Sequence, residues 1–189
     1  MRWFFKMIAQ PNWRKLCQPS LVVRRLHEVE LPMLLDRNIT TSIIDTDGVT
    51  VVFGSRNIPD ENIDWVDFIR NQGIKCYLMT FNHKNSHAID IGNYLGIEVL
   101  AGCYNDPVQI ISNSFMKLLH ENGIQKHQIA VINDSLFCLG LFRMVAPECT
   151  TIFVQESLGF THYHFFESML MRLIFGLETL FLKRKYYRS

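Results

Sequence analysis

The feature that most constrains this chain is the regular alternation, from Asn38 onward, of short continuous apolar runs with longer helical stretches. Ile39–Ile44, Ile74–Met79, Ile97–Leu100, Gln128–Ile132 and Thr150–Val154 read as strands, rich in β-branched residues and without in/out alternation. Between them Pro59–Asn71, Ser86–Leu95, Pro107–Asn122 and Ser135–Val145 read as helices, and a last helix begins near Tyr163. Pro59 and Pro107 open helices, while Gly73, Gly96 and Gly123 close them. A strand that is apolar on both faces must be covered on both faces, and the helical crossovers supply that cover. The expected architecture is therefore a three-layer α/β/α doubly wound parallel sheet. No internal repeat and no low-complexity tract interrupts it.

The 189 residues suit one domain with terminal elements, and 48% hydrophobic content is enough to build its core. The most apolar tract, Phe165 to Leu182, carries Glu167, Arg172 and Glu178, which disfavours a conventional membrane span. Five cysteines, Cys17, Cys76, Cys103, Cys138 and Cys149, form no Cys-x-x-Cys pair, so neither a disulfide framework nor a zinc knuckle is indicated and a reducing compartment is expected. The net charge of +1 conceals an uneven distribution: residues 1–27 carry +6 with no acid, residues 28–163 carry −8, and the last 26 residues carry +3. Basic ends around an acidic middle imply an anionic partner, either a membrane surface or nucleic acid. No recognition motif accompanies the charge, so nucleic acid is not expected.

In a doubly wound sheet, chemistry collects at the carboxyl ends of the strands. Asp45 and Asp47 follow the first predicted strand, Thr80 and Asn82 the second, Asp106 the third and Asn133-Asp134 the fourth. These residues should converge on one crevice. In Asp45-Thr46-Asp47-Gly48-Val49 two carboxylates lie two residues apart on a tight turn, a spacing that allows one to act as a nucleophile and the other as a general acid/base.

On these residues the chain resembles the haloacid dehalogenase superfamily, and within it the small phosphatidylglycerophosphate phosphatase family that includes the bacterial YqeG-type proteins. The resemblance runs over residues 17–185. It includes Gln18-Pro19-Ser20-Leu21-Val22-Val23, Leu35-Asp36-Arg37-Asn38-Ile39, Asn71-Gln72-Gly73-Ile74-Lys75, Leu95-Gly96-Ile97 and Gly159-Phe160. It implies that Asp45 attacks phosphorus, that Asp47 carries the leaving-group proton and that Thr80 binds the phosphate. It also implies that Asp134, with Asp45 and the Asp47 carbonyl, holds Mg2+. Asn82 and Lys84 are further candidates for phosphate binding, Lys84 as a replacement cation.

Two positions depart from the family pattern. Where the family has a lysine before a proline, this chain has Asp106 before Pro107, a reversal of charge that also makes Asp106 a helix N-cap. Where the motif around Asn133-Asp134 continues to a second acid, this chain has Leu139. Two functions follow from the resemblance. One is a Mg2+-dependent phosphomonoesterase; the other is a catalytically degenerate relative serving as a scaffold or accessory subunit. The segment Val51 to Ile58 is too short for a cap domain, so the site should be open to a phospholipid or another bulky phosphomonoester. His162 and His164 read as surface or packing residues rather than ligands, and Cys138 reads as a core residue.

The terminal helix carries a stripe of Phe166, Met169, Leu170, Leu173, Ile174, Leu177, Leu180 and Phe181, with Glu167, Ser168, Arg172, Glu178 and Thr179 opposite and Lys183-Arg184-Lys185 beyond. Such a helix fits an anionic lipid interface, and it equally fits packing on the chain's own sheet or on a partner subunit. The aromatic and basic residues from Trp3 to Leu16 leave three readings open: an interfacial arm, a targeting segment, or ordinary packing. The expected organisation is a basic arm and lead-in over 1–37, the α/β domain over 38–160 and an amphipathic helix with a basic tail over 161–189. The expected location is peripheral to a membrane in a reducing compartment, at an organellar inner membrane such as the mitochondrial one, or at a bacterial cytoplasmic face.

Overall fold

The computed structural model describes residues 9–80, 85–101, 107–158 and 176–178. Six strands, Leu21–Val23 (β1), Thr41–Asp45 (β2), Lys75–Thr80 (β3), Glu98–Ala101 (β4), Ile129–Asn133 (β5) and Thr150–Val154 (β6), form one sheet. All its pairings are parallel, in the order β1-β6-β5-β2-β3-β4. The helices are Trp13–Leu16 (α1), Leu31–Leu35 (α2), Asp60–Asn71 (α3), Asn85–Leu95 (α4), Pro107–Asn122 (α5) and Leu136–Val145 (α6).

Neighbouring residues along each central strand feed opposite layers, which is the physical content of the three-layer reading. Ile44, Leu78, Ile132 and Ile152 pack with Trp65, Val66 and Ile69 of α3 and Ile91 and Leu95 of α4. Ile43, Tyr77, Val131 and Phe153 pack on the other face with Ile111, Phe115 and Leu118 of α5 and Phe137, Leu141 and Phe142 of α6. Each fully buried side chain of this kind contributes roughly 1.5–3 kcal/mol of transfer free energy, so a strand shared by two cores holds the site at its end firmly.

The sequence reading counts five strands, and the sheet has a sixth. β1 comes from the lead-in segment and pairs with β6, Leu21 opposite Ile152 and Val23 opposite Val154. Ser20 N donates to Thr151 O at 2.8 Å and Gln155 N to Val23 O at 2.9 Å, extending the ladder at both ends. Trp65 Nε1 donates to Val29 O at 2.7 Å and joins the following segment to α3. With only three residues between Ser20 and the Arg24-Arg25 pair, β1 is too short to produce a period. No helix among the described residues is long and apolar enough to cross a membrane.

The connection from β2 to α3, residues 46–59, contains turns and bridge residues, Asp47 pairing with Val51 among them, and carries no inserted domain. Asn82, Lys84, Asp106, His162 and His164 lie outside the described residues, as do the arm before residue 9 and most of the terminal helix.

Candidate active site

The sheet register brings the predicted residues together. β2 is central, with β3 on one side and β5 on the other; Asp45 pairs with Met79, and Ile44 with Ile132. Thr80 and Asn133 are the last residues of β3 and β5, so both end beside Asp45, and Asp134 follows Asn133. The convergence is a consequence of parallel pairing: three adjacent strands that run the same way end at the same edge.

Immediately after Asp45 the chain is tied down from several directions. Thr46 donates to Met79 O through its N (2.9 Å) and through Oγ1 (3.0 Å). Thr50 Oγ1 donates to Asp45 O at 2.7 Å. From α3, Asn62 Nδ2 donates to Val49 O and Thr50 O at 3.0 and 3.1 Å, and Leu158 N donates to Gly48 O at 2.8 Å. Gly48 has φ +86, and a Cβ there would run into Asp134 Oδ2 and lie 2.9 Å from Ser157 Oγ. Only glycine permits both this backbone and so close an approach of the Asp134 carboxylate.

Asn133 links the two halves of the site. Its Nδ2 donates to Asp45 Oδ2 at 2.6 Å, and its Oδ1 accepts from Ser135 N at 2.7 Å. Asp134 is buried beside it. Asp47 points its carboxylate back over the loop, where Gly54 N donates to Oδ1 at 3.3 Å and His87 Nε2 lies 3.6 Å from the same oxygen. The carboxyl of Asp45 is half-buried and closely surrounded by protein. Its loss of solvent, the Asp134 carboxylate and the Asp47 carboxylate, in that order, push its pKa well above the usual range, against the opposing bonds from Thr46 and Asn133.

The neighbouring thiol is a poor competitor as a nucleophile. Cys138 is held well above its ordinary pKa by loss of solvent first and by Asp45 next. Cys17, Cys76 and Cys149 are pushed up to about 12 by burial, and none of the four described cysteines is in a disulfide.

Among the described residues no group of three or more His, Cys, Asp or Glu side chains is placed to hold a metal ion. A cation here would therefore be held by the carboxylates of Asp45 and Asp134, a backbone carbonyl and water. That all-oxygen set fits magnesium, which commonly takes one or two carboxylates and keeps several waters.

Sequence reasoning places Asp45, Asp47, Thr80 and Asp134 at this edge, and the structure brings them there. It misses Asn62, His87, Glu178 and the bridging role of Asn133. Glu178 is a correction: expected on the polar face of the terminal helix, it is 0% exposed. Its Oε1 accepts from Phe137 N at 3.0 Å and its Oε2 from Leu136 N at 3.3 Å, and Ser135 Oγ donates to it. The first turn of α6 leaves N–H groups without intrahelical partners at the positive end of the helix dipole, and a carboxylate satisfies both conditions. Leu139 is fully buried in the core on this side of the sheet.

No protein-family model and no curated protein matches the chain. Among solved structures, the chain is similar to a hypothetical protein from Xanthomonas campestris at 17% identity and a TM-score of 0.52, covering 77% of each chain. The cobalt-bound deoxy-D-mannose-octulosonate 8-phosphate phosphatase of Haemophilus influenzae matches at 16% identity and a TM-score of 0.48, over 81% of this chain and 98% of that one. A HAD superfamily (subfamily III A) hydrolase from Legionella pneumophila matches at 20% identity and a TM-score of 0.45, over 71% and 80%. The likeness to the Xanthomonas protein is one of fold, a parallel α/β sheet. At these identities nothing beyond fold is carried over, and the parallel sheet explains why the polar residues collect at one edge rather than what they do there.

Proposed function

We propose that the protein is a Mg2+-dependent phosphomonoester hydrolase of the haloacid dehalogenase type, working through an aspartyl-phosphate on Asp45. The observation that carries the reading is the pair Asp45 and Asp47. One carboxylate is desolvated and oriented by Asn133 at the end of the central strand, and the other, two residues on, is held to the side by the loop. In this reading an Asp45 oxygen attacks phosphorus as the bond to the leaving oxygen breaks, and Asp47 gives that oxygen its proton. Water then attacks phosphorus, Asp47 takes its proton, and the bond to Asp45 breaks to release phosphate. The Thr80 hydroxyl binds a phosphoryl oxygen, with Asn82 and Lys84 assigned to the same task. Asp45, the Asp47 carbonyl and Asp134 would hold magnesium, which supplies positive charge between the carboxylates and the phosphoryl group.

For the substrate, we infer a bulky phosphomonoester such as phosphatidylglycerophosphate, met at an anionic membrane surface. The short connection over residues 46–59 and the basic residues at both ends of the chain support this.

One observation favours a second reading, that of a degenerate scaffold or accessory subunit. Leu139 occupies the place of the second acid and is fully buried among apolar side chains. One assay separates the two. Purified protein with Mg2+ is expected to release phosphate from phosphatidylglycerophosphate in mixed micelles, with turnover falling to background in Asp45→Asn. Turnover no higher in the wild type than in Asp45→Asn, toward micellar and soluble phosphomonoesters alike, selects the scaffold.

A further inference from the structure

The geometry points to His87 as the residue that holds Asp47 in position for proton transfer. The inference rests on the phosphatase reading for what Asp47 does, and on the structure alone for the contact.

His87 lies in the first turn of α4, the helix that follows β3 and so starts at the edge where the carboxylates collect. Ala88 and Ile91, which follow it in the helix, are buried and lock α4 against the sheet. The His87 side chain is 17% exposed and that of Asp47 9%, and Nε2 lies 3.6 Å from Asp47 Oδ1. Nε2 is a buried nitrogen with no hydrogen-bond partner in the structure.

At 3.6 Å the contact is longer than a hydrogen bond, so its sign depends on what Nε2 carries. A bare lone pair turned toward a carboxylate would repel it, whereas an N–H would attract it and, after a small side-chain rotation, donate to Oδ1. Burying Nε2 against Oδ1 is therefore favourable only with the proton on Nε2, whether the ring is neutral or charged. Gly54 N approaches the same oxygen at 3.3 Å. Two donors on Oδ1, one from the loop and one from α4, fix rotation of the carboxyl about its Cβ–Cγ bond. The direction of its second oxygen is thereby set. A general acid must lie within hydrogen-bond reach of the oxygen it protonates, so its aim is part of its activity. His87 touches neither substrate nor reacting atoms in this scheme; it is a positioning residue, and helical periodicity marks it only as one more polar side chain.

The test compares His87→Leu and His87→Gln with wild type on two esters. p-Nitrophenyl phosphate has a leaving group that departs without a proton, and glycerol phosphate has one that needs it. If His87 aims Asp47, His87→Leu lowers kcat/KM about 10- to 100-fold more on glycerol phosphate than on p-nitrophenyl phosphate, part of the roughly 100- to 10,000-fold that a positioned acid contributes. That ratio reports the steps up to aspartyl-phosphate formation and so leaves out the water attack common to both esters. KM should hold within about twofold, as expected when an interaction made in the transition state is lost. His87→Gln, which can place an amide N–H near the old Nε2, should recover much of the loss. Equal losses on both esters, or no recovery with Gln, overturn the inference.

A melting-temperature cycle of His87→Leu, Asp47→Asn and the double variant reads the contact without turnover. Removing the charge of Asp47 should raise the melting temperature more in the His87→Leu background than in wild type. Additive shifts overturn the inference. A wild type that hydrolyses neither ester overturns the phosphatase reading, and the melting cycle then decides the His87 contact by itself.

Discussion

Asp45 holds its place against its own electrostatics. Loss of solvent and the carboxylates of Asp134 and Asp47 raise its pKa well above the usual range, so the folded protein binds this proton more tightly than the unfolded chain does. The linkage sign follows: as pH rises from the ordinary carboxylate range through the raised pKa, the native state carries the excess protons, and stability falls. Above that window the loss is complete. Asp45→Asn keeps a side chain able to meet Asn133 and has no proton equilibrium to shift, so the metal-free variant escapes this penalty and is expected to melt higher than metal-free wild type at neutral pH. A gain of roughly 2–4 °C corresponds to about 1 kcal/mol in a domain of this size. Added Mg2+ should raise the melting temperature of wild type and have little effect on Asp45→Asn. Differential scanning calorimetry across pH, with and without Mg2+, checks both, and a variant that melts below wild type would contradict this electrostatic account. At this scale the sequence was legible where topology does the work: Asp45, Thr80 and Asp134 each end or follow an apolar strand, and parallel strands share an edge. It was not legible for Asn62 or His87, nor for the bridge that Asn133 makes, because these contacts depend on side-chain direction in three dimensions.

Helix α6 shows how an element can be read correctly while its environment is not. Its span follows from Ser135 as N-cap, whose Oγ accepts from Cys138 N at 3.2 Å, and from the apolar run that comes after. The carboxylate over its first turn comes from Glu178, more than forty residues later, which a periodicity argument assigned to the polar face. Helical spacing gives the side of a helix but not what packs against that side. Here the partner is a helix N-terminus with three donors, the N–H groups of Leu136 and Phe137 and the hydroxyl of Ser135. Glu178→Ala would strand these buried donors and is expected to cost about 3 kcal/mol, within the range for breaking a buried charged network. Glu178→Gln keeps one acceptor but turns an N–H toward a donor, so it should cost less than Ala and more than nothing. Urea titration followed by circular dichroism measures both. Because Ser135 also donates its N–H to Asn133, which bonds Asp45, loss of Glu178 should also weaken the effect of Mg2+ on stability. A Glu178→Ala protein as stable as wild type would mean that water replaces the carboxylate without penalty.

Across the whole molecule, the parallel sheet joins the site to the distribution of charge. β1 runs with the other strands, so Arg24 and Arg25, which follow it, emerge at the same edge as Asp45. They engage Glu156, just past β6, at 2.7 and 2.8 Å. These pairs are exposed and each contributes little to stability, but they place part of the basic N-terminal charge on the face where a phosphoryl group would enter. An anionic surface drawn to that face would present its head groups to the carboxylates. The remaining basic residues, Arg2, Lys6, Arg14 and Lys15 toward one end and Lys183, Arg184 and Lys185 toward the other, would add attraction of about 1 kcal/mol each near such a surface. Sedimentation with anionic liposomes should therefore be strong at low salt and fall steeply as salt rises, because exposed charges are screened within about 10 Å at 0.1 M. Deleting residues 183–189 should weaken it, deleting residues 1–16 as well should nearly abolish it, and neutral liposomes should bind poorly throughout. Binding that ignores lipid charge and survives both deletions would remove the electrostatic basis for a membrane substrate and leave a soluble phosphomonoester as the better fit to the open site.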